Sequence, residues 1–172
     1  MIRRPCAGKN EKYRGKNKEN NFHMYIILHN IRSNHNVGSI FRTADAAGVA
    51  KIFLAGYTPA PVDRFGRTNK EIAKTALGAE KVVVWECAKK VQKLLARLKK
   101  EKVFLVAVEQ HPHAINYKKI PRRKNIAFVF GNEVTGIPEK ILAQCNCVAE
   151  IPMRGTKESL NVAVAAGIVL YR

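Results

Sequence analysis

From Tyr25 onward the chain repeats one pattern, a short apolar run followed by a turn and then a longer stretch with apolar residues at helical spacing. The runs at 25–28, 51–55, 103–108 and 126–130 are too short for helices and too uniformly apolar for strands with one wet face. Runs of this kind fit strands buried on both faces, as in a parallel sheet covered by helices on either side. The alternation therefore predicts a single-domain α/β fold, a mostly parallel sheet flanked by helices.

The intervening segments complete this reading. Val37, Ile40, Phe41, Ala44 and Ala47 predict a helix over 36–48, stopped by Gly48. A Gly- and Pro-bearing loop follows over 56–68, then a short helix at 69–77, a strand at 82–85 and a helix at 88–100. That last helix carries Val91, Leu94, Leu95 and Leu98 on one face and Lys and Arg on the other. Pro138 fits a helix start, where its missing N–H costs nothing. A last strand is expected at 147–151. The segment 159–172, apolar nearly all round, reads as a terminal helix buried on several sides.

Charge narrows the partners. Thirty-one Lys and Arg against 13 Asp and Glu give a formal net charge of +18. A field of that sign attracts polyanions, and phosphate neutralisation with counterion release supplies affinity without sequence preference. Residues 1–22 are a Lys-, Arg-, Asn- and Gly-rich tail with little to bury, expected to be disordered, and 23–172 form the folded domain. The tail and the basic stretches at 89–102 and 118–124 are the candidate nucleic-acid contacts. No apolar stretch approaches the length of a membrane span and the N-terminus lacks the apolar core of a secretory signal, so the expectation is a cytoplasmic protein. Cys6, Cys87, Cys145 and Cys147 do not form a zinc pattern, and reduced thiols with no metal site are expected.

Three segments place polar residues where a plain core would not want them. They are Asn36-Val37-Gly38-Ser39-Ile40-Phe41-Arg42, then Val129-Phe130-Gly131-Asn132-Glu133 with Gly136, and Ile151-Pro152-Met153-Arg154-Gly155 followed by Ser159-Leu160-Asn161. All lie at strand ends or lead into helices, at the edge of an open α/β sheet where ligands bind. Singly each has a structural explanation. Asn36 or Ser159 would serve as a helix cap, Arg42 and Asp45 as an exposed helix pair, and Gly131 and Gly155 as turn residues.

Together, in this order and spacing, the segments resemble the three motifs of the SpoU/TrmH-like RNA 2′-O-ribose methyltransferases of the SPOUT superfamily. The resemblance covers Tyr25 to the C-terminus. It implies a SPOUT fold with a trefoil knot over 125–172 and S-adenosyl-L-methionine (AdoMet) held in the knot by Gly131, Ile151, Met153 and Leu160. It also implies an active site of Arg42, Asn36, Glu133, Ser159 and Asn161, completed between two subunits of a homodimer. The substrate would be a tRNA or an rRNA, with tRNA slightly favoured for so minimal an architecture. A guanidinium keeps its proton in proteins, so gripping a phosphate and stabilising a developing alkoxide suit Arg42 better than acting as a base. The alternatives are a non-catalytic basic RNA-binding protein of the same fold and a methyltransferase acting on a base.

Overall fold

The apolar runs lie side by side in the computed structural model, which describes residues 7–8 and 22–172. The strands are β1 (Ala7–Gly8), β2 (His23–His29), β3 (Lys51–Ala55), β4 (Trp85–Ala88), β5 (Phe104–Val108), β6 (Ile115–Asn116), β7 (Asn125–Phe130) and β8 (Cys147–Glu150). They form one sheet in the order β1-β4-β3-β2-β7-β5-β8-β6. Every pairing is parallel except β1 with β4. The helices are α1 (Asn34–Ala46), α2 (Lys70–Ala76), α3 (Ala79–Val82), α4 (Val91–Lys100), α5 (Glu139–Leu142) and α6 (Val162–Leu170).

Alternation along the strands divides the core into two layers. Ile26, Leu28, Ile52, Leu54 and Phe128 face α1, α2 and α6, meeting Ile40, Phe41, Ile72 and Ala166. Ile27, Phe53, Ala127 and Val129 face the other way, onto Leu94, Leu95 and Leu98 of α4 and Ile141 of α5. Strands between two helical layers must be apolar on both faces, which is why they are legible as unbroken runs. Each buried leucine of α4 contributes roughly 1.5–3 kcal/mol by leaving water.

The helix ends follow local chemistry. α1 begins two residues before the expected position because Ser33 is its N-cap, its hydroxyl accepting the Asn36 N–H at 3.2 Å. It closes at Gly48, where the Gly48 N–H donates to the Asp45 carbonyl and the Val49 N–H to that of Ala44. Gly38 lets α1 approach α2, since a Cβ there would collide with the Thr75 hydroxyl and the Ile72 carbonyl.

Four expectations are corrected. The strand placed at 82–85 is β4 at Trp85–Ala88; Val82 is held in the single turn of α3, and Val83 is the extended residue that ends it. Left-handed Leu77 and Gly78 (φ 51° and 94°) reverse the chain after α2 and start that turn. The helix over 88–100 consequently begins at Val91. A helix does begin at Pro138 as expected, since it is the N-cap of α5. The terminal helix is α6, capped by Asn161 and not by Ser159, and it buries one face while Val164 stays 51% exposed. Within the 1–22 tail, Ala7 and Gly8 add an edge strand against β4; residues 1–6 and 9–21 lie outside the described residues.

Candidate active site at the C-terminal edge of the sheet

Parallel pairing sends the segments after β2, β7, β5 and β8 to one edge of the sheet. The turn after β7 is organised by Asn132, which is 7% exposed. Its Nδ2 donates to the Asn30 carbonyl and the Tyr57 hydroxyl, both at 2.9 Å, while its Oδ1 accepts the Val134 and Thr135 N–H groups at 2.8 and 2.9 Å. A buried amide whose carbonyl and amino groups are both engaged fixes the chain around it.

The next residue, Glu133, faces the start of α1. Its carboxylate accepts the Arg32 N–H at 3.0 Å, the Ser33 N–H at 3.3 Å and Asn36 Nδ2 at 3.0 Å. A carboxylate only accepts, so it turns the Asn36 amide with Nδ2 inward and Oδ1 outward. Asn36 Oδ1 then accepts from Nδ2 of Asn161 at 3.0 Å, and Asn161 Oδ1 caps α6 through the Ala163 N–H at 2.8 Å. One hydrogen-bonded chain therefore joins the first, second and third motifs, its Asn36 amide oriented by Glu133 and its Asn161 amide by the cap of α6.

Partial burial raises the Glu133 carboxyl. Hydrogen bonds from the Arg32 N–H, the Asn36 amide and the Ser33 N–H outweigh that and hold it below its ordinary value near 4.5. A depressed folded value means stability that is present above the ordinary value and lost as pH falls below it. Glu86 behaves alike, its burial outweighed by Lys51 and Arg97, so wild type alone does not isolate Glu133. Glu133→Gln is expected to lower the melting temperature at pH 7 and to lose less than wild type on going to pH 4. Parallel pH profiles of melting temperature for the two proteins would contradict this.

The loops expected to hold a cofactor flank β5. Gly131 ends β7 against its own turn, where an added Cβ would lie 2.5 Å from the Gly136 carbonyl carbon and 2.6 Å from its oxygen. Ile151 and Met153 are half-buried, Leu160 is 40% exposed, and 154–161 is exposed throughout. Between the two loops stands Glu109, at the end of β5. Its carboxylate accepts the Ile137 N–H at 2.8 Å and the Gln110 N–H at 3.0 Å. Gln110 in turn donates to the Glu158 carbonyl, tying the second loop to the same point. Glu109, Gln110 and Asn132 were not among the expected site residues. The signal for Glu109 was a carboxylate directly after an apolar strand.

Arg42 and Ser159 are not part of this cluster within one chain. Arg42 is exposed on α1, six residues beyond Asn36 and so about 9 Å further along the helix axis. It makes no ion pair with Asp45 among the described residues, which removes the helix-pair explanation for it. Ser159 is exposed in the second loop. Among the described residues no group of three or more His, Cys, Asp or Glu converges as a metal site would, and no helix is long and apolar enough to cross a membrane.

A mostly parallel α/β domain with two loops gathered at the end of β5 has its candidate ligand site at the C-terminal edge of the sheet, and comparison with known proteins specifies the class further. The model of the SpoU rRNA methylase family matches residues 23–171, and the chain belongs to that family. It is 32% identical over 148 residues to the 23S rRNA (guanosine-2′-O-)-methyltransferase RlmB of Bordetella pertussis, covering 86% of this chain and 58% of the relative. Among solved structures, an AdoMet-bound rRNA methyltransferase from Sinorhizobium meliloti superposes with a TM-score of 0.77 at 30% identity, covering 87% of this chain and 54% of that one. A TrmH/SpoU tRNA modifying enzyme from A. aeolicus superposes at 0.74 and 30% identity, covering 86% and 72%. The chain thus spans between half and two thirds of the length of the Bordetella and Sinorhizobium proteins.

Proposed function

We propose that this protein transfers a methyl group from AdoMet to a ribose 2′-hydroxyl of RNA. The observation that carries the reading is the Glu133–Asn36–Asn161 chain, which draws three segments far apart in sequence into one cluster at the edge where both loops emerge. The chain's own residues fit the cofactor. The exposed backbone of 154–161 offers polar groups, and Ile151, Met153 and Leu160 offer apolar surface beside the turn of Gly131. The family's trefoil knot over 125–172 belongs to this proposal.

When bound, AdoMet supplies a methyl group already activated on a sulfonium. The chemistry it would supply is formation of an oxygen–carbon bond at the ribose as the sulfur–carbon bond breaks, with the electron pair left on sulfur as a neutral thioether and the hydroxyl proton passing to water. The protein's task is alignment and charge stabilisation. Arg42 grips a substrate phosphate and stabilises charge developing on the 2′-oxygen. Asn36, Asn161 and Ser159 orient the ribose, and Glu133 orients Asn36. Arg42 has no hydrogen bond or ion pair to the Asn36–Glu133 cluster among the described residues, and we assign the complete site to Arg42 of one subunit together with the loops of another. The exposed Leu160, Val164 and Tyr171 beside α1 supply an apolar face for such a homodimer.

The expectation that tRNA is favoured over rRNA is not supported, since the Bordetella and Sinorhizobium relatives are named for rRNA. We therefore assign ribosomal RNA as the substrate class. The test is transfer of labelled methyl from AdoMet into purified rRNA and tRNA, followed by digestion to nucleosides. Label in a 2′-O-methylnucleoside from rRNA is expected. Label on a base, or AdoMet-independent RNA binding without transfer, would refute the reading. Sedimentation at micromolar concentration should give a dimer; a monomer alone would contradict the shared site.

A further inference from the structure

The loop between β3 and α2 ends in a tip that nothing in the catalytic proposal uses. Phe65 stands there 65% exposed, whereas Phe53, Trp85, Phe128 and Phe130 of the sheet are buried. An exposed phenylalanine at the end of a slack loop would mean little, but this loop is anchored at both ends. At its start Thr58 donates to the Leu28 carbonyl at 2.8 Å, and the Tyr57 hydroxyl accepts from Asn132. At its end Asn69 donates to the Asn34 side chain at 3.0 Å, beside the start of α1.

The tip is ordered as well. Asp63 Oδ1 accepts the Phe65 and Arg67 N–H groups at 2.7 and 2.9 Å, and its Oδ2 accepts from Arg67 Nε at 3.0 Å. Two guanidinium groups lie near the Phe65 ring, Arg64 at 4.7 Å and Arg67 at 5.0 Å from its centroid. Asp63 neutralises Arg67, whereas Arg64 has no carboxylate partner among the described residues. The tip therefore offers an aromatic face and one uncompensated cation, held rigidly on the same edge as the Asn36–Glu133 cluster.

We infer that the Arg64–Phe65–Arg67 tip is a docking site for an unpaired nucleotide of the RNA substrate, with Phe65 stacking on the base and Arg64 meeting the adjacent phosphate. Stacking on an aromatic ring is how proteins hold single-stranded nucleic acid without reading its sequence, and arginine near the ring adds a cation–π and a phosphate contact. A base inside a duplex has both faces covered, so the tip selects an unpaired position near the modified ribose. The chain's net charge of +18 favours this ligand over an apolar protein partner. The inference rests on the RNA methyltransferase reading and specifies where that substrate must be single-stranded.

The test measures fluorescence anisotropy of the full-length protein with a labelled 12-nucleotide single-stranded RNA and with the same strand in a blunt duplex. Phe65→Ala and Phe65→Leu should each weaken single-strand binding by roughly fivefold to a hundredfold and duplex binding much less. Phe65→Trp should restore it. Arg64→Gln should weaken binding and lower the slope of log affinity against log salt by about one. Calorimetry with AdoMet controls for folding and should match wild type for every variant. Binding by Phe65→Ala equal to wild type on the single strand would overturn the inference, as would equal losses on strand and duplex. A changed sedimentation profile with RNA binding intact would make the tip a protein contact and also overturn it. Wild type that binds neither RNA would instead sink the RNA reading itself.

Discussion

Arg42→Ala is expected to bind AdoMet as wild type does and to lose at least about a hundredfold in methyl transfer, the cost typical of removing one donor to a developing oxyanion. The side chain is exposed, outside the core and without an ion-pair partner among the described residues, so its loss should not disturb the fold. Binding and chemistry should therefore separate, with calorimetry unchanged and turnover abolished. Arg42→Lys should recover little, because an ammonium does not reproduce the planar fork that meets a phosphate in two places. Turnover near wild type in Arg42→Ala would remove this residue from the mechanism. A parallel fall in AdoMet affinity would make it a cofactor residue.

Gly131→Ala should do the reverse, losing AdoMet affinity at least tenfold and some stability with it. The new Cβ would lie 2.5–2.6 Å from the Gly136 carbonyl group and from Ile137 Cγ1. Backbone on one side of the clash cannot step aside. The Gly136 N–H is bonded to the Asn132 carbonyl at 2.9 Å, and the Ile137 N–H to Glu109 at 2.8 Å. Overpacking of this kind costs about 1–3 kcal/mol, which in a domain of this size is roughly 2–12 °C of melting temperature. The turn would have to open, and the loop presented to the cofactor would move with it. An unshifted melting curve with unchanged AdoMet affinity would show that the turn has slack.

Much of this fold was legible because a doubly covered parallel sheet leaves unbroken apolar runs, and β3 and β7 fall within one residue of the runs at 51–55 and 126–130. Where legibility failed, a local rule had competition. Val82, Val83 and Val84 are β-branched and read as strand, but the left-handed pair Leu77-Gly78 winds Val82 into α3 and shifts the strand to Trp85. Ser33 and Asn36 are both good capping types. What separates them is Glu133, which lies 97 residues away and engages the Asn36 side chain. Capping preference acts within a turn and carries no information about such a partner.

The site divides along the same line. Asn36, Glu133 and Asn161 were recognisable from motif order, and their hydrogen-bonded chain gives that order a physical reason. Glu109 and Gln110 were not, since their role appears only once β5 is known to run between β7 and β8. The shortness of α6 was hidden too. Alanine and valine continue apolar from Val162 to Leu170, and a sequence does not say which face a neighbour covers.

If one subunit's Arg42 serves the cofactor loops of another, tagged heterodimers of Arg42→Ala with Gly131→Ala will reveal it. At AdoMet concentrations well below wild-type saturation, each homodimer should transfer at most about a tenth of what wild type does. The heterodimer should regain about half of wild-type transfer, because one of its two sites pairs an intact Arg42 with intact loops. A heterodimer as inactive as its parents would place Arg42 and the loops in the same chain and contradict the shared site.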